Sequence, residues 1–378
     1  MTRLWRARRR GAQTDADASR LSLDVKGQLS TVLLGWNDGE RTFWRYGDTT
    51  LAPSLVNVTA SFRADSRLDA HLIYEGGYTF NSSGSATQVP EVVEPAGIDN
   101  RRAQIVLDHD RYGVLYVGKG SNATDTIAQN DLSGTEIAMH GTYADTGGGF
   151  RLRDENGDLT ETTFGEIYAD FDGDRRSRMR YDTPGFGGFT ASLSADVEGT
   201  WGAALRYQST RGTPTARRNG ADFEAGLGVR ASRLDTVAMG SATKKLAKLG
   251  RGHVEGVVAG GWRWWSRDEI ETAGGAAGGA ASGATSADPR RDAGYVYAKL
   301  AWRGTLIAWG ETAMSVDGRV GGGNLREISR SNSIGFQISQ ALGTDAAHAT
   351  AGVRWYDVDG PAQVQLGPTV LAGTLFRF

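Results

Sequence analysis

The residues best suited to do chemistry are charged side chains of opposite sign in different parts of the chain. Basic residues recur at alternate positions of several segments: Lys26, Arg63, Arg102, Arg178, Arg180, Arg206 and Arg230. The segment 121–173 has few basic residues and is rich in carboxylates, including Asp125, Asp131, Glu136, Asp145, Asp154, Glu155, Asp158, Glu161 and Glu166. If this segment folds against the cations, opposed charges across a narrow gap would orient water, ions and dipolar solutes. The alternative, equally open at this point, is that the arginines form solvated pairs and the segment lies outside.

Covalent chemistry has little support in the sequence. The chain has no Cys and 5 scattered His, and it has neither a nucleophile elbow nor a His-Glu-x-x-His helix. We therefore predict no enzyme. Calcium is the one cofactor to consider, because Asp170, Asp172 and Asp174 cluster carboxylate oxygens, although the full twelve-residue ligand pattern is missing.

The elements that must position these charges are β-strands. From Leu21 onward apolar and polar residues alternate with period two, and turn residues separate the runs. In the first run Leu21, Leu23 and Val25 share one face and Asp24 lies on the other, and the division recurs as far as the run 349–356. One face of each strand is apolar and the other is polar.

The pattern predicts a single all-β unit over 21–378 with an even number of strands. We predict sixteen strands at 21–36, 52–64, 67–80, 99–109, 111–120, 174–184, 187–196, 200–209, 221–232, 235–246, 251–265, 294–303, 304–315, 329–340, 347–358 and 369–378. Connections after even-numbered strands are mostly short, and the long ones after odd-numbered strands include 37–51, 121–173 and 316–328. Two connections are exceptions: the loop from Asp196 to Thr200 is short, and the turn from Thr210 to Gly220 is long. This asymmetry is typical of an antiparallel transmembrane β-barrel. The longest connection, 121–173, is too long for a simple hairpin and is the candidate constriction loop.

Aromatic residues cluster near the predicted strand ends, where they favour girdles at the two membrane interfaces. The clusters contain Trp36, Phe43, Trp44, Trp262, Trp264, Trp265, Tyr295, Tyr297, Trp355, Tyr356, Phe376 and Phe378. Aromatic residues are also enriched in strands of soluble proteins, so the clusters alone do not distinguish a transmembrane barrel from a soluble β-protein.

Composition excludes some partners. The formal net charge is −2 and the pI is near 6.3, so we expect no nucleic-acid partner. No apolar run reaches the 18 residues of a membrane-spanning helix. Residues 1–20 begin with clustered arginines but continue as a polar run, so we interpret them as a disordered segment or a misplaced start; a basic arm that touches lipid or nucleic acid is the alternative.

Four stretches carry a resemblance to a known family. The stretch 115–135, LYVGKGSNATDTIAQNDLSGT, resembles the start of the constriction loop in Gram-negative porins, particularly those of alphaproteobacteria. The stretch 178–191, RMRYDTPGFGGFTA, resembles a strand-turn-strand of the same porins. The opening 21–39 is similar to their first strand, and the ending 375–378 is similar to their C-terminal phenylalanine signal.

The resemblance implies a homotrimer of sixteen-stranded barrels in the outer membrane of a Gram-negative bacterium, each with its third loop folded into the lumen. It places Lys119 and Arg180 on the basic side of the constriction, with Asp125, Asp131 and Glu136 on the acidic side. From the alternation we add further residues to the basic side: Arg178, Arg102, Arg63, Lys26 and Arg206. The implied partners are outer-membrane lipid, lipopolysaccharide and the barrel-assembly machinery, which would read Phe376 and Phe378.

The expected function is passive diffusion of small hydrophilic solutes and ions. A substrate-selective, anion-preferring channel on the same barrel is the first alternative, because Arg176, Arg178 and Arg180 form a row on one face. A soluble all-β ligand-binding protein is the second alternative.

Overall fold

The structure is a computed structural model. It describes residues 21–89, 97–168, 171–209, 221–266, 290–322, 325, 328–360 and 366–378. The segment 1–20 therefore lies outside the described residues. No helix in the described ranges is long and apolar enough to cross a membrane.

The fold consists almost entirely of antiparallel strands. The first half of the chain forms β1 (Leu21–Asn37), β2 (Thr42–Gly47), β3 (Leu55–Arg63), β4 (Leu68–Thr79), β5 (Gly97–His109), β6 (Gly113–Ser121), β7 (Arg151–Arg153), β8 (Leu159–Thr163), the short helix α1 (Phe164–Ile167) and β9 (Arg175–Asp182). The second half forms β10 (Phe189–Asp196), β11 (Trp201–Gln208), β12 (Phe223–Ala231), β13 (Asp235–Leu249), β14 (Gly252–Trp265), β15 (Ala293–Gly304), β16 (Thr312–Gly321), β17 (Arg330–Leu342), β18 (Thr344–Asp359) and β19 (Thr369–Arg377).

The sheet closes on itself because β1 pairs along both of its edges. One edge pairs with β19, from Gln28↔Arg377 to Gly35↔Val370. The other edge pairs first with β3 and then with β2, so these two strands together make one crossing of the wall. Apart from β7 and β8, which pair only with each other, the strands make sixteen crossings, and the predicted sixteen-stranded antiparallel barrel is confirmed.

The two ends of the barrel differ. The start of β1 and the end of β19 lie at the same end, where the backbones of Gly27 and Phe378 are hydrogen-bonded to each other; we call it the terminal rim. Most of the long connections begin and end at the opposite end, which we call the loop rim; the connection between β11 and β12 is the exception and begins and ends at the terminal rim. The predicted asymmetry of the connections therefore holds in the structure.

Two details of the strand prediction are wrong. The thirteenth crossing was predicted at 304–315 but is β16, Thr312–Gly321, because 305–311 forms a turn that exposes Ile307 and Trp309 at the terminal rim. The predicted loop 316–328 is accordingly shorter. The predicted loop 37–51 contains β2, which turns back against the end of β1.

The outer face of the barrel is apolar all the way around. Exposed Leu, Val, Ile and aromatic side chains alternate along the strands, as Leu29, Leu72, Leu193, Leu227 and Val296 illustrate. Closing the sheet into a barrel leaves no edge strand, but the apolar side chains of its outer face remain exposed. A patch of this size is far larger than a soluble monomer exposes, so it indicates an apolar environment around the barrel.

Exposed aromatic side chains bound the apolar face at both rims. Near the loop rim they are Trp44, Tyr46, Tyr78, Trp201, Trp262, Trp264 and Trp355. Near the terminal rim they are Phe62, Tyr112, Tyr181, Phe186, Phe189, Trp309, Phe376 and Phe378. The predicted girdles are present, but five of the predicted members face the barrel interior and are corrected here: the buried Trp36, Tyr295, Tyr297 and Tyr356, and the partly buried Phe43, which packs on Phe150 of the connection between β6 and β9.

Candidate functional site inside the barrel

The long connection between β6 and β9 lies inside the barrel. We call residues 122–174 the interior loop; positions 169–170 of it are outside the described residues. Many of its side chains are buried against the inner wall, including Ile127, Met139, Tyr143, Phe150 and Phe164. The inward-folded loop that the sequence predicted is therefore present.

The start of the interior loop is held by arginines of the wall. Arg178 donates from Nε to the carbonyl oxygen of Ser121 at 2.9 Å. Arg180 donates from Nη1 to the carbonyl oxygen of Asn122 at 2.8 Å and forms an ion pair with Asp182 at 2.7 Å. The carbonyl groups of Ser121 and Asn122 lie where β6 ends and the loop begins, and the two arginines supply hydrogen-bond donors to them.

A third arginine continues this contact. Arg206 on β11 donates from Nη2 to the carbonyl oxygens of Ala123 and Asp125, at 2.7 and 3.0 Å. Arg180 and Arg206 therefore bind the loop backbone directly, and Arg178 binds the backbone at the end of β6, where the loop begins. Their hydrogen bonds to the loop go to backbone carbonyl oxygens and not to its carboxylates.

The two ends of the interior loop are tied to each other. The Asn122 side chain accepts from the backbone N–H of Asp125 at 2.9 Å and donates to Asp174 at 3.0 Å. The Asp172 carboxylate accepts from the backbone N–H of Thr126 at 2.6 Å. Gly173 is required between them, because a Cβ there would lie 2.3 Å from Asn122 Oδ1.

The middle of the interior loop is fixed by a buried lysine on the opposite wall. Lys299 of β15 donates from Nζ to Asp131 Oδ2 at 2.7 Å, to Thr135 Oγ1 at 3.2 Å and to the carbonyl oxygen of Met139 at 3.0 Å. The Lys299 side chain is fully buried. Burial by itself raises the pKa of Asp131, but the Lys299 ammonium outweighs it and holds that pKa below its usual value. The loop thus crosses from the β6–β9 wall to β15 and is clamped there.

An aromatic cluster holds the second half of the interior loop. Trp36 stacks on Phe150 with ring centroids 4.6 Å apart, and it meets Phe164 at 4.8 Å and Tyr356 at 5.5 Å. The inner face of β1 is apolar here, since Val32, Leu34 and Trp36 all point inward and are buried. This part of the inner wall therefore packs against the loop as a hydrophobic core does.

A buried ion pair lies beneath the same cluster. Arg354 on β18 contacts Asp317 on β16 at 2.7 Å, and Tyr297 and Gln337 each donate to that carboxylate at 3.0 Å. The Arg354 guanidinium carbon lies 3.9 Å from the ring centroid of Tyr143 in the loop. The pair is fully hydrogen-bonded at the Asp317 end, as a buried charge requires, and it presents a cation to the loop aromatics.

The three predicted acidic residues have different surroundings. Asp131 is buried in the pair with Lys299. Asp125 is nearly buried beside Arg180 and Arg206. Glu136 contacts no charged or hydrogen-bonding partner within the described part of the chain, and its Oε2 atom is buried. Glu136 is therefore the predicted acidic residue whose charge is least compensated.

The remaining predicted basic residues lie outside the contact with the interior loop. Arg102 lies 3.7 Å from Glu75, and Arg63 pairs with Asp69 at 3.0 Å with most of its side chain exposed. Lys26, half-exposed near the terminal rim, pairs with Asp24. Lys119 is placed wrongly by the prediction, because alternation along β6 puts it on the outer face with Val117, where its neighbour is Asp99 at 3.8 Å.

The two predicted calcium ligands that the structure describes, Asp172 and Asp174, each bind groups of the protein. Asp172 accepts backbone N–H groups of the loop, Asp174 binds Asn122 and Arg176, and Asp170 lies outside the described residues. Within the described ranges no group of three His, Cys, Asp or Glu side chains is arranged to hold a metal ion.

Sequence reasoning missed the strongest anchors, Lys299, Asp317 and Arg354. Each lies on the inward face of an alternating strand, where a charged residue looks like a solvated lumen side chain. The available signal was the row Tyr295, Tyr297 and Lys299, which puts two aromatic residues on a face that should be polar.

A disulfide can test the position of the interior loop, since the chain has no native Cys. Thr135 Oγ1 and Ser315 Oγ of β16 are 2.8 Å apart. We expect Thr135→Cys/Ser315→Cys to form a disulfide under mild oxidation, seen as a mobility shift on unreduced gels. As control, Thr135→Cys/Ser192→Cys places the second thiol on β10, six strands away, and should stay reduced. Equal maleimide labelling of both variants after oxidation would show that the loop does not lie where we place it.

No protein-family model and no curated protein matches the sequence. Solved structures match along nearly the whole chain. An anion-selective porin from Comamonas acidovorans aligns with a TM-score of 0.59 and 14% identity over 95% of this chain and 100% of its own. OmpT, an outer membrane protein of Vibrio cholerae, aligns with a TM-score of 0.58 and 11% identity over 97% and 100%.

OmpF of Salmonella typhi, in a complex with daunomycin, aligns with a TM-score of 0.54 and 9% identity over 94% of this chain and 97% of its own. At such identities the likeness establishes the fold. The chain has the closed barrel of Gram-negative outer-membrane porins.

Proposed function

We propose that the chain is an outer-membrane porin of a Gram-negative bacterium, of the alphaproteobacterial type, through which small hydrophilic solutes and ions diffuse passively. One observation carries the proposal: a closed barrel is apolar outside, polar and charged inside, and narrowed by a loop anchored to opposite parts of its wall. A closed sheet satisfies its own backbone hydrogen bonds, as a span through lipid requires. The exposed aromatic residues at both rims match the two membrane interfaces.

The interior loop would act as a size filter. Its start is bound to β9 and β11, its middle to β15 and its second half to β1 and β18, so it has little freedom to move aside. Several charges on it are paired, such as Asp131 with Lys299 and Arg153 with Asp38, which weakens the field in the lumen, so the filter would distinguish solutes mainly by size.

An anion-preferring channel is the second candidate. Arg178 and Arg206 donate only to neutral acceptors among the described residues, so their positive charges are not cancelled by a directly bonded carboxylate. The reversal potential in a salt gradient separates the two candidates, since a value near zero favours general diffusion and a large value of the sign expected for anion permeation favours the anion-preferring channel.

Assembly partners follow from the same proposal. Phe376 and Phe378 are exposed on the outer face at the terminal rim, where barrel-assembly machinery could bind them. A trimer form is recorded for OmpT of Vibrio cholerae. We propose a homotrimer in contact with outer-membrane lipid and lipopolysaccharide, and chemical cross-linking of the detergent-extracted protein tests the trimer.

Liposome swelling tests the proposed function. Proteoliposomes should swell in isosmotic arabinose, more slowly in a disaccharide and hardly at all in a tetrasaccharide. Empty liposomes and liposomes with heat-unfolded protein are the controls. Swelling no faster than in empty liposomes, with the barrel folded, would exclude the proposal.

Glu136→Gln should change ion selectivity, because it removes the least compensated of the three predicted acidic residues at nearly constant volume. We expect the reversal potential in a tenfold KCl gradient to shift towards anions, with single-channel conductance changed by less than about two-fold. Glu161→Gln on β8, where Glu161 is mostly exposed and pairs with Arg151, is the matched control. An identical reversal potential in wild type and Glu136→Gln would show that Glu136 does not face the ion path.

A further inference from the structure

An open apolar groove lies on the outer face of the barrel, across β14 to β18 and towards the terminal rim; we call it the outer groove. Its volume is about 760 Å³, which is within the range of small-molecule sites. The groove is formed by two neighbouring cross-strand rows of outward side chains. One row joins Trp302, Met314 and Ile338, and the other joins Leu300, Val316 and Phe336.

Trp302 fixes the end of the outer groove that is nearest the terminal rim. Its indole Nε1 donates to the carbonyl oxygen of Leu249, in the hairpin between β13 and β14, at 3.0 Å. Its ring covers two glycines, since a Cβ on Gly252 or Gly304 would lie 2.8 or 2.7 Å from ring atoms. The indole therefore has a fixed position, and this end of the groove is preformed.

Two cationic residues border the outer groove. Lys244 of β13 is the one lysine or arginine at an outward-facing strand position in the terminal half of the described wall. Its register partner Gly256 is in turn opposite Leu300, so Lys244 is in the same row as one side of the groove, roughly 10 Å from Leu300. Arg251 is exposed at the tip of the hairpin, two residues after Leu249, which lines the groove.

The cations have no counter-charge from the protein. Neither Lys244 nor Arg251 forms an ion pair with any residue that the structure describes. In the terminal half of the wall, no outward strand position whose side chain is described carries a carboxylate; Asp182, Glu224 and Glu255, for example, are buried on the inner side. The outer face of a second copy of this chain would therefore bring no strand carboxylate to Lys244. The negative charge has to come from another kind of molecule.

The chemistry of the groove and its border fits an anionic phospholipid. The mostly short turns of the terminal rim are typical of the periplasmic side of such barrels. Lysine and arginine near a membrane surface attract anionic headgroups, and a lysine extends its methylenes over apolar surface to place its ammonium among them. We infer that the outer groove binds one anionic phospholipid of the periplasmic leaflet, with an acyl chain along the groove and the phosphate beside Lys244 and Arg251. The inference rests on the outer-membrane placement proposed above.

Native mass spectrometry tests the lipid site. The detergent-purified protein is given an equimolar mixture of phosphatidylglycerol and phosphatidylcholine, and the lipids retained on each chain are counted. Wild type should retain one phosphatidylglycerol with a preference over phosphatidylcholine of at least about fivefold, and Lys244→Gln/Arg251→Gln should reduce that preference at least about threefold. Lys248→Gln is the matched control, because it removes an exposed lysine of the same hairpin whose register partner, His253, faces inward with Glu255. It should retain lipid as wild type does.

A second pair of variants tests the groove with both cations intact. Ala351→Trp places an indole in the outer groove and should lower retention of phosphatidylglycerol at least about fivefold, since the acyl chain loses its space. Ala203→Trp, at an outward position of β11 outside the groove, should have no effect.

Three results would overturn the inference. They are equal retention of the two lipids by wild type, equal retention of phosphatidylglycerol in Lys244→Gln/Arg251→Gln and Lys248→Gln, and oligomers that Ala351→Trp dissociates, which would assign the groove to a second copy of the chain. Lipid retention does not depend on conduction, so this test and the swelling test can fail separately.

Discussion

Lys299→Met is expected to release the middle of the interior loop and give larger, noisier channel openings. The lysine binds Asp131, Thr135 and Met139 of the loop, and its removal leaves the Asp131 carboxylate buried without its cation. Breaking a buried ion pair by removing one partner costs about 3–5 kcal/mol. Met keeps most of the side-chain volume, so the barrel wall itself should be little disturbed. Single-channel recordings and thermal unfolding measure the two effects.

Two control variants test whether the effect depends on the pair formed by Lys299 and Asp131. Lys248→Met removes an exposed lysine near the terminal rim and should leave conductance and stability within error of wild type. Lys299→Met/Asp131→Asn removes both charges and should recover much of the lost stability, since no charge is left unpaired. If Lys299→Met conducted and melted like Lys248→Met, the clamp on β15 would be refuted.

Trp36→Ala is expected to destabilise the second half of the loop. Trp36 is buried and contacts Phe150, Phe164 and Tyr356, so truncation leaves a large cavity in the aromatic cluster. Replacing a buried Trp by Ala costs about 3–5 kcal/mol. The loop should then become accessible to trypsin at Arg151 or Arg153, and the fraction cut in a fixed time measures the opening.

Trp44→Ala is the matched control, because Trp44 lies on the adjacent β2 but faces outward. It should leave the trypsin sites of the loop protected. Equal protection of the loop in Trp36→Ala and wild type would contradict the packing that we describe between β1 and the loop.

Alternation predicted the barrel well because the outer face is uniformly apolar. Alternation of apolar and polar residues identifies a strand when one face of the strand contacts an apolar environment and the other contacts water. It fails along Val32, Leu34 and Trp36, where the inner face is buried by the loop and both faces are apolar. A pattern within one strand does not reveal what a segment a hundred residues away will cover.

The interior charges were predicted in part. The acidic loop does fold against basic residues of the wall, as expected from their signs. Their partners could not be predicted, because Arg178, Arg180 and Arg206 bind backbone carbonyls, which are absent from any count of charged residues. Lys299 was missed for a related reason, since its role depends on where the middle of the loop comes to rest.

The central claim is that this barrel encloses an ion-conducting path narrowed by the interior loop. Recording purified protein in a planar lipid bilayer in KCl tests it most directly. We predict discrete conductance steps of uniform size with a nearly linear current-voltage relation. A folded barrel that inserts into the bilayer but gives no steps above the background of protein-free membranes would contradict the account.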